Sequence, residues 1–153
     1  MPVIISKGEA GKLLPGKKKN KKPKYKNTKV KHDGIVFDSK NEYNRYCFLL
    51  KMQKAGKICN LSYHQKKDEI ILQEYPEIKY VPDFCYNEDD FFIIEDFKGY
   101  QTREFKLKKK LLIGLFTNKE KHTMINNVKF RLVSRDSGTF RTIEEYVFLK
   151  DKT

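Results

Sequence analysis

Two short stretches of this sequence place charged residues inside apolar segments. Asp83 lies within the segment 80–84, and Asp96 and Lys98 lie within the segment 94–98. Burying an unpaired charge is costly, so these positions invite a chemical explanation. Two converging carboxylates provide the oxygen ligands that Mg²⁺ prefers, and a nearby ammonium can orient a metal-activated hydroxide and screen charge on an attacked phosphate. A plain salt bridge at the end of a sheet is the competing interpretation in a chain that is 35% charged.

A hairpin between the two segments would bring these groups together. The polar stretch 87–90 indicates a turn, and a turn of two residues (88–89) or four residues (87–90) places Asp83 opposite Ile94. Side chains alternate along a strand and paired residues point the same way. Asp83, Asp96 and Lys98 are then expected on one face, with Glu95 on the other. A turn with an odd number of residues would separate Asp83 from the other two.

A helix is predicted just before these strands. Ser39 and Glu42 fit the S-x-x-E capping box, in which a serine caps the first turn and a glutamate reaches back to it. Apolar side chains follow at helical spacing, at positions 43, 46, 47 and 50, which predicts a helix over about 39–55. Upstream, the apolar positions around the turn 32–34 predict a short hairpin.

The remaining patterns complete an α/β fold. Apolar runs predict three consecutive strands, and Thr102 can cap a second helix whose positions 105, 112 and 116 share one face. Alternation predicts a further strand over 128–133, and residues 142–150 are ambiguous between element types. The order helix, three strands, helix, strand favours a mixed central sheet flanked by helices. The three strands are predicted at 69–74, 78–86 and 91–98, and the second helix at about 102–116.

The charge is concentrated at the amino end. Of a net charge of +13, residues 1–31 carry eleven lysines against one acid, and their glycines and prolines predict a disordered basic arm before a folded domain at 32–153. Such an arm favours a polyanion such as DNA, with a solubility tail as the alternative. The lysines expected to contact DNA are Lys17, Lys18, Lys19, Lys21 and Lys22 in the arm, and Lys106, Lys108 and Lys109 in the second helix.

Several classes of protein are disfavoured by composition. The longest apolar run has six residues, too few for a membrane span, and no signal peptide is visible. Three cysteines without CxxC spacing predict reduced thiols and a cytoplasmic location. The scattered histidines are interpreted as surface or loop residues: His32, His64 and His122.

The spacing Pro82-Asp83, twelve residues, then Asp96-Phe97-Lys98 resembles the PD-(D/E)xK nuclease superfamily. The resemblance extends upstream to the segment 37–42 and downstream to Gly99 and Thr102, covering about residues 25–116. The chain looks like a member of a small phage-encoded branch that includes proteins similar to Holliday-junction resolvases. Phage encoding would place it in the cytoplasm of the bacterial host.

This resemblance implies a restriction-endonuclease-like core and a metal site. Asp83 and Asp96 would bind Mg²⁺ or Mn²⁺, and Lys98 would assist the nucleophilic water. Glu42 would be a helix-borne fourth catalytic and metal-binding member, unless its role is only the capping box. Phe97 is included in the implied metal-ligand set, and Gln65 is a weaker polar candidate.

The implied function is a metal-dependent DNA endonuclease that hydrolyses phosphodiester bonds in phage DNA processing. Branched DNA such as a Holliday junction is the expected substrate, and a homodimer is expected because two strands must be cut. A non-catalytic nucleic-acid-binding protein with a structural carboxylate-lysine cluster is the alternative. A purely structural protein would explain the charge but not the buried carboxylates.

Overall fold

The computed structural model describes residues 28–118 and 126–150. Two helices and nine strands occupy this part of the chain, together with a short 3₁₀ helix at Lys66–Asp68. In chain order they are β1 (Val30–His32), β2 (Ile35–Phe37), α1 (Lys40–Lys54), β3 (Cys59–Tyr63), β4 (Ile70–Gln73), β5 (Ile78–Tyr80), β6 (Phe84–Glu88), β7 (Phe91–Phe97), α2 (Arg103–Thr117), β8 (Asn127–Asp136) and β9 (Thr139–Phe148).

A mixed five-stranded sheet forms the centre, in the order β3-β6-β7-β8-β9. Strands β7 and β8 pair in parallel, and the other neighbours pair antiparallel. A parallel pair needs a crossover connection, and α2 lies within it. The expected α/β fold with a mixed central sheet and flanking helices is confirmed.

Both predicted helices form with the expected caps. The Ser39 hydroxyl accepts a hydrogen bond of 3.1 Å from the Glu42 amide, and the Thr102 hydroxyl accepts one of 3.2 Å from the Phe105 amide. These bonds satisfy first-turn amides that have no partner within the helix. The predicted hairpin before α1 also forms, from β1 and β2.

The sheet separates two apolar clusters. On the α2 side, Ile94 and Phe130 pack with Leu112, and on the α1 side, Ile93 and Tyr86 belong to the cluster that contains helix residue Leu49. Because both faces of β7 are covered, residues 93–97 are all buried, including two carboxylates.

The predicted strand at 78–86 is wrong, because the chain divides it into two strands of different sheets. Strand β5 pairs with β4 in a separate two-stranded sheet, and β6 joins the central sheet. Pro82 lies in the break at 81–83, where a residue without an amide proton costs no sheet hydrogen bond. Strand β3 is therefore the first strand of the helix, three strands, helix, strand series, and the sequence analysis missed it.

The predicted pairing of Asp83 with Ile94 is also wrong. Cys85 pairs with Ile94 and Phe84 with Glu95, because the two-residue turn is Asp89-Asp90. Asp89 has a φ of 50°, a left-handed conformation suited to a tight hairpin. The register moves by two residues, so the faces that the side chains occupy are unchanged. The ambiguous segment 142–150 supplies most of the edge strand β9.

The predicted arm at 1–31 lies almost wholly outside the described residues, although Val30 and Lys31 already belong to β1. In the described ranges, neither helix combines the length and apolar character that crossing a membrane requires.

Candidate active site

Asp83, Asp96 and Lys98 meet at one end of the central sheet. Asp83 directly precedes β6, Asp96 is the penultimate residue of β7, and Lys98 directly follows that strand. The Asp83 amide donates a hydrogen bond of 3.1 Å to Asp96 Oδ1, and the Phe97 amide donates one of 2.9 Å to Asp83 Oδ2. The structure therefore brings these three predicted residues together, and main-chain groups hold the two carboxylates in place.

Lys98 lies against both carboxylates. Its Nζ is 3.6 Å from Asp83 Oδ2 and 4.0 Å from Asp96 Oδ2, which are ion-pair distances. The Lys98 amide donates to the Val133 carbonyl at 2.9 Å, and its Nζ lies 4.9 Å from the centre of the Phe105 ring. Burial alone would lower the pKa of Lys98, but the Asp96 and Asp83 carboxylates outweigh burial and raise it. The side chain is therefore held as a cation beside the carboxylates.

Asp96 is the least compensated charge in the cluster. The residue is 2% exposed, and its Oδ2 makes no hydrogen bond within the described part of the chain. Burial and the neighbouring Asp83 carboxylate raise the pKa of Asp96 to about 7, against the lowering effect of Lys98. Lys98 Nζ faces Asp96 Oδ2 at 4.0 Å, and a bound cation would add positive charge at this buried oxygen.

Glu42 contributes its amide to the cap of α1 and its carboxylate to the site end of the sheet. Its Oε2 accepts a hydrogen bond of 2.9 Å from the Tyr63 hydroxyl, at the end of β3. Burial and the Asp83 carboxylate raise the pKa of Glu42, and its charge in turn raises that of Lys98. The Glu42 carboxylate therefore interacts with Tyr63 and is close enough to the cluster to influence the charge of Lys98.

Two further residues approach the carboxylates and were missed as site residues. His64, interpreted from sequence as a surface or loop residue, has its Nδ1 3.9 Å from Asp83 Oδ1, and its amide donates to the Asp83 carbonyl at 2.8 Å. The hydroxyl of Tyr80 is buried beside Asp96. Burial and the Asp96 carboxylate raise the pKa of Tyr80, and the hydroxyl in turn lowers the pKa of Asp96. No local sequence pattern marks His64, whereas Tyr80 stands in the apolar run before Asp83.

The other two candidates occupy different roles. Gln65 is exposed, and its side chain makes no hydrogen bond in the described part of the protein. The Phe97 ring packs into the apolar cluster on the α1 side. The main-chain carbonyl oxygen is therefore the Phe97 atom that could bind a metal.

A cation at this position would depend on the two aspartates. Across residues 28–118 and 126–150, no three or more His, Cys, Asp or Glu side chains are grouped so that they could hold a metal ion. Mg²⁺ is nevertheless commonly bound by only one or two carboxylates, because it dehydrates reluctantly and water molecules complete its coordination. Asp96 Oδ2 fits such an ion, because it is buried and accepts no hydrogen bond in residues 28–118 and 126–150.

The predicted DNA-binding lysines differ in availability. Lys106 is exposed, whereas Lys108 forms an ion pair of 3.1 Å with Glu104. Lys109 is mostly buried and donates to Glu144 at 2.7 Å, which ties α2 to β9. The five arm lysines, Lys17, Lys18, Lys19, Lys21 and Lys22, lie outside the described residues.

Together the fold and the site define an α/β protein with a carboxylate-lysine cluster at one end of a mixed five-stranded sheet. The chain belongs to the family described as "Protein of unknown function (DUF1064)", whose model matches residues 22–132, more than half of the chain. That range contains Glu42, Asp83, Asp96 and Lys98. No curated protein matches the chain. No solved structure matches it either.

Proposed function

We propose that this protein is a metal-dependent DNA endonuclease that hydrolyses phosphodiester bonds. The observation that carries the proposal is the buried pair Asp83 and Asp96, held side by side with one Asp96 oxygen lacking a hydrogen bond. A structural salt bridge alone explains this arrangement poorly, because a single Lys98 faces two buried carboxylates, at 3.6 and 4.0 Å. The resemblance to the PD-(D/E)xK superfamily assigns metal binding to the same two residues.

Each residue of the cluster has a role in this reaction. Asp83 and Asp96 would hold Mg²⁺ or Mn²⁺, which when bound supplies a Lewis acid that activates water and neutralises phosphate charge. Lys98, kept cationic by its neighbours, would orient the attacking water and stabilise the charge that develops on phosphorus. Glu42 is close enough to influence Lys98 electrostatically and is the third carboxylate available to the site.

The order of elements also supports the proposal. Helix α1, strands β3, β6 and β7, helix α2 and strand β8 follow one another as helix, three strands, helix, strand, with the β4–β5 hairpin inserted. This is the order that the superfamily resemblance implies. The fold alone does not define an activity, so the proposal depends mainly on the residues of the site.

The charge distribution supports DNA as the partner. The chain carries +13, and exposed cations lie close to the cluster in sequence. Lys66 and Lys67 follow His64 by two and three residues, while Arg103 and Lys106 lie in the first turn of α2, which places Phe105 beside Lys98. Cations around a phosphate-handling site neutralise the backbone and release counterions. Free thiols at Cys47, Cys59 and Cys85 suit action in the reducing cytoplasm, including that of a phage host.

The first experiment is incubation of linear duplex, single-stranded and four-way-junction DNA with the protein and Mg²⁺ or Mn²⁺. The wild type is compared with Asp83→Ala, Asp96→Ala and Lys98→Ala, and we expect each substitution to reduce cleavage by roughly a hundredfold or more. DNA binding should survive or tighten in the two aspartate variants, because losing a carboxylate reduces repulsion toward phosphate.

Asp90→Ala is the matched control, since it removes an exposed carboxylate at the opposite end of the β6–β7 hairpin, from a residue without the left-handed φ of Asp89. It should cleave like the wild type. Binding without cleavage by the wild type in either metal would instead identify a non-catalytic nucleic-acid-binding protein.

We further propose that a homodimer acts on branched DNA. One chain presents one cluster, whereas resolving a junction requires cuts at two phosphates on different strands. A two-fold interface places two identical sites at a constant spacing on a two-fold substrate. A four-way junction labelled on each strand in turn should show paired, symmetric nicks near the crossover. Equal activity on unbranched duplex, or a strictly monomeric enzyme that nicks one strand, contradicts this step.

A further inference from the structure

We propose that Tyr100 is the stacking platform for the nucleobase next to the hydrolysed phosphate, and that it gives the enzyme a preference for unpaired bases. This inference rests on the proposed nuclease function and names the feature of the substrate that the site recognises.

Tyr100 lies close to the cluster along the chain. It is two residues beyond Lys98, so its Cα lies within about 7 Å of the lysine Cα. The residue is 71% exposed, and within the described chain its ring makes no aromatic, hydrogen-bonding or cationic contact. Because most of Tyr100 is exposed, its ring contributes little to the stability of the fold.

The loop that carries Tyr100 is anchored on both sides. Before it, the Lys98 amide donates to the Val133 carbonyl at 2.9 Å. After it, the Gln101 side chain donates to Glu144 at 3.1 Å and accepts from Lys109 at 2.9 Å. The loop is thus fixed to β8, β9 and α2, so the main chain that carries Tyr100 is already ordered before DNA binds.

The chemistry of a nucleic-acid site suits an aromatic ring at this position. A phosphate held at Asp83, Asp96 and Lys98 brings the adjoining base within reach of a side chain two residues from the lysine. Base-aromatic stacking is independent of base identity, because every base presents a π-face. In a duplex both faces of each base are already stacked, so Tyr100 gains a partner chiefly where bases are unpaired, as at a branch point or in a single strand.

Tyr75 provides a matched control within the same chain. It is 89% exposed at the turn between β4 and β5, next to Glu74 and Glu77, whose charges repel phosphate. It shares the residue type and the exposure of Tyr100 but not its place beside Lys98.

The test measures binding in an Asp83→Asn background, in which we expect cleavage to be too slow to consume the probe. The probes are a single-stranded oligodeoxynucleotide carrying 2-aminopurine, whose fluorescence is quenched by stacking, and a fully paired duplex of the same length. Tyr100→Ala and Tyr100→Leu should weaken single-strand binding about tenfold or more and abolish the quenching by the protein. Tyr100→Phe should retain both, because stacking does not need the hydroxyl, and Tyr75→Ala should match the parent.

The outcomes separate this inference from the proposed function. Cleavage by the wild-type protein together with unchanged single-strand affinity and quenching in Tyr100→Leu overturns the stacking role and leaves the nuclease standing. Tyr100-dependent quenching without any cleavage by the wild type overturns the nuclease and retains the stacking platform. A loss of duplex affinity equal to that for the single strand overturns the preference for unpaired bases.

Discussion

Asp83 and Asp96 are joined by a hydrogen bond from the main-chain amide of one to the carboxylate of the other, at 3.1 Å. The returning bond, from the Phe97 amide to Asp83 Oδ2 at 2.9 Å, closes the arrangement. Two like charges are therefore held in proximity by the backbone of two adjacent strands. The repulsion between them is built into the fold, and a divalent cation would relieve it.

Asp96 should make the metal-free protein less stable as pH rises. Its pKa in the folded protein is about 7, against about 3.9 for an unperturbed aspartate. Below pH ~4 the group is protonated in both states and has no effect. Between the two values the unfolded chain releases the proton and the folded chain retains it, so the free energy of unfolding falls until the folded pKa is passed.

Melting temperatures measured in chelator from pH 5 to 8 test this prediction. Asp96→Asn should flatten the decline and raise the melting temperature at pH 8, and Mg²⁺ should stabilise the wild type more at pH 8 than at pH 5. Parallel curves for the two proteins would show that Asp96 is not the responsible group.

The cap and the carboxylate of α1 should be separable by substitution. Ser39→Ala removes the acceptor for the Glu42 amide and should cost about 1 kcal/mol of stability while leaving cleavage per folded molecule unchanged. Glu42→Gln retains the main-chain amide that Ser39 caps, and it retains the side-chain volume, but it removes the negative charge. It should therefore lower Mg²⁺-dependent cleavage with little loss of stability. Urea unfolding and cleavage rates, measured on both variants, check the separation. Wild-type cleavage by Glu42→Gln would leave this residue as a structural group only.

The buried pair Arg45 and Glu95 should be essential for stability. Arg45 donates two hydrogen bonds to Glu95, at 2.7 and 2.8 Å, and Tyr86 donates a third at 2.6 Å. Arg45→Ala leaves a fully buried carboxylate without its cation, so the loss should be roughly 3–5 kcal/mol.

The exposed ion pair of Lys108 with Glu104 is the control, and Glu104→Ala should cost at most about 0.5 kcal/mol. Denaturant unfolding compares the two variants. Equal losses would show that burial does not govern the energy of these pairs.

Because Arg45 and Glu42 are one turn apart on α1, loss of the Arg45–Glu95 pair should also reduce cleavage at temperatures near the melting point.

Removing residues 1–27 should weaken DNA binding and flatten its salt dependence. The deletion takes away nine lysines and leaves β1 intact. The slope of log affinity against log salt falls by about 0.9 for each phosphate no longer neutralised. A full-length variant with the nine lysines changed to glutamine distinguishes charge from chain length. An unchanged slope in both would identify the segment as a solubility tail.

Local sequence signals were sufficient to predict the two helices and to place Asp83, Asp96 and Lys98 on one face. Ser39 and Thr102 mark helix starts because a side-chain oxygen caps the first turn whatever surrounds it. Asp83, Asp96 and Lys98 were expected on one face because the side chains of a strand alternate, and the register error of two residues preserved that alternation.

Tertiary structure decided which segments pair and what approaches the motif. Strand β3 has a weak apolar pattern and is a strand because its residues pair with β6, more than twenty positions away. The break at 81–83 arises because β5 and β6 belong to different sheets. His64 reaches Asp83, and Tyr63 reaches Glu42, through contacts distant in sequence. Such contacts depend on the packing of the whole domain, so residue spacing identified the carboxylates while only the folded chain placed their neighbours.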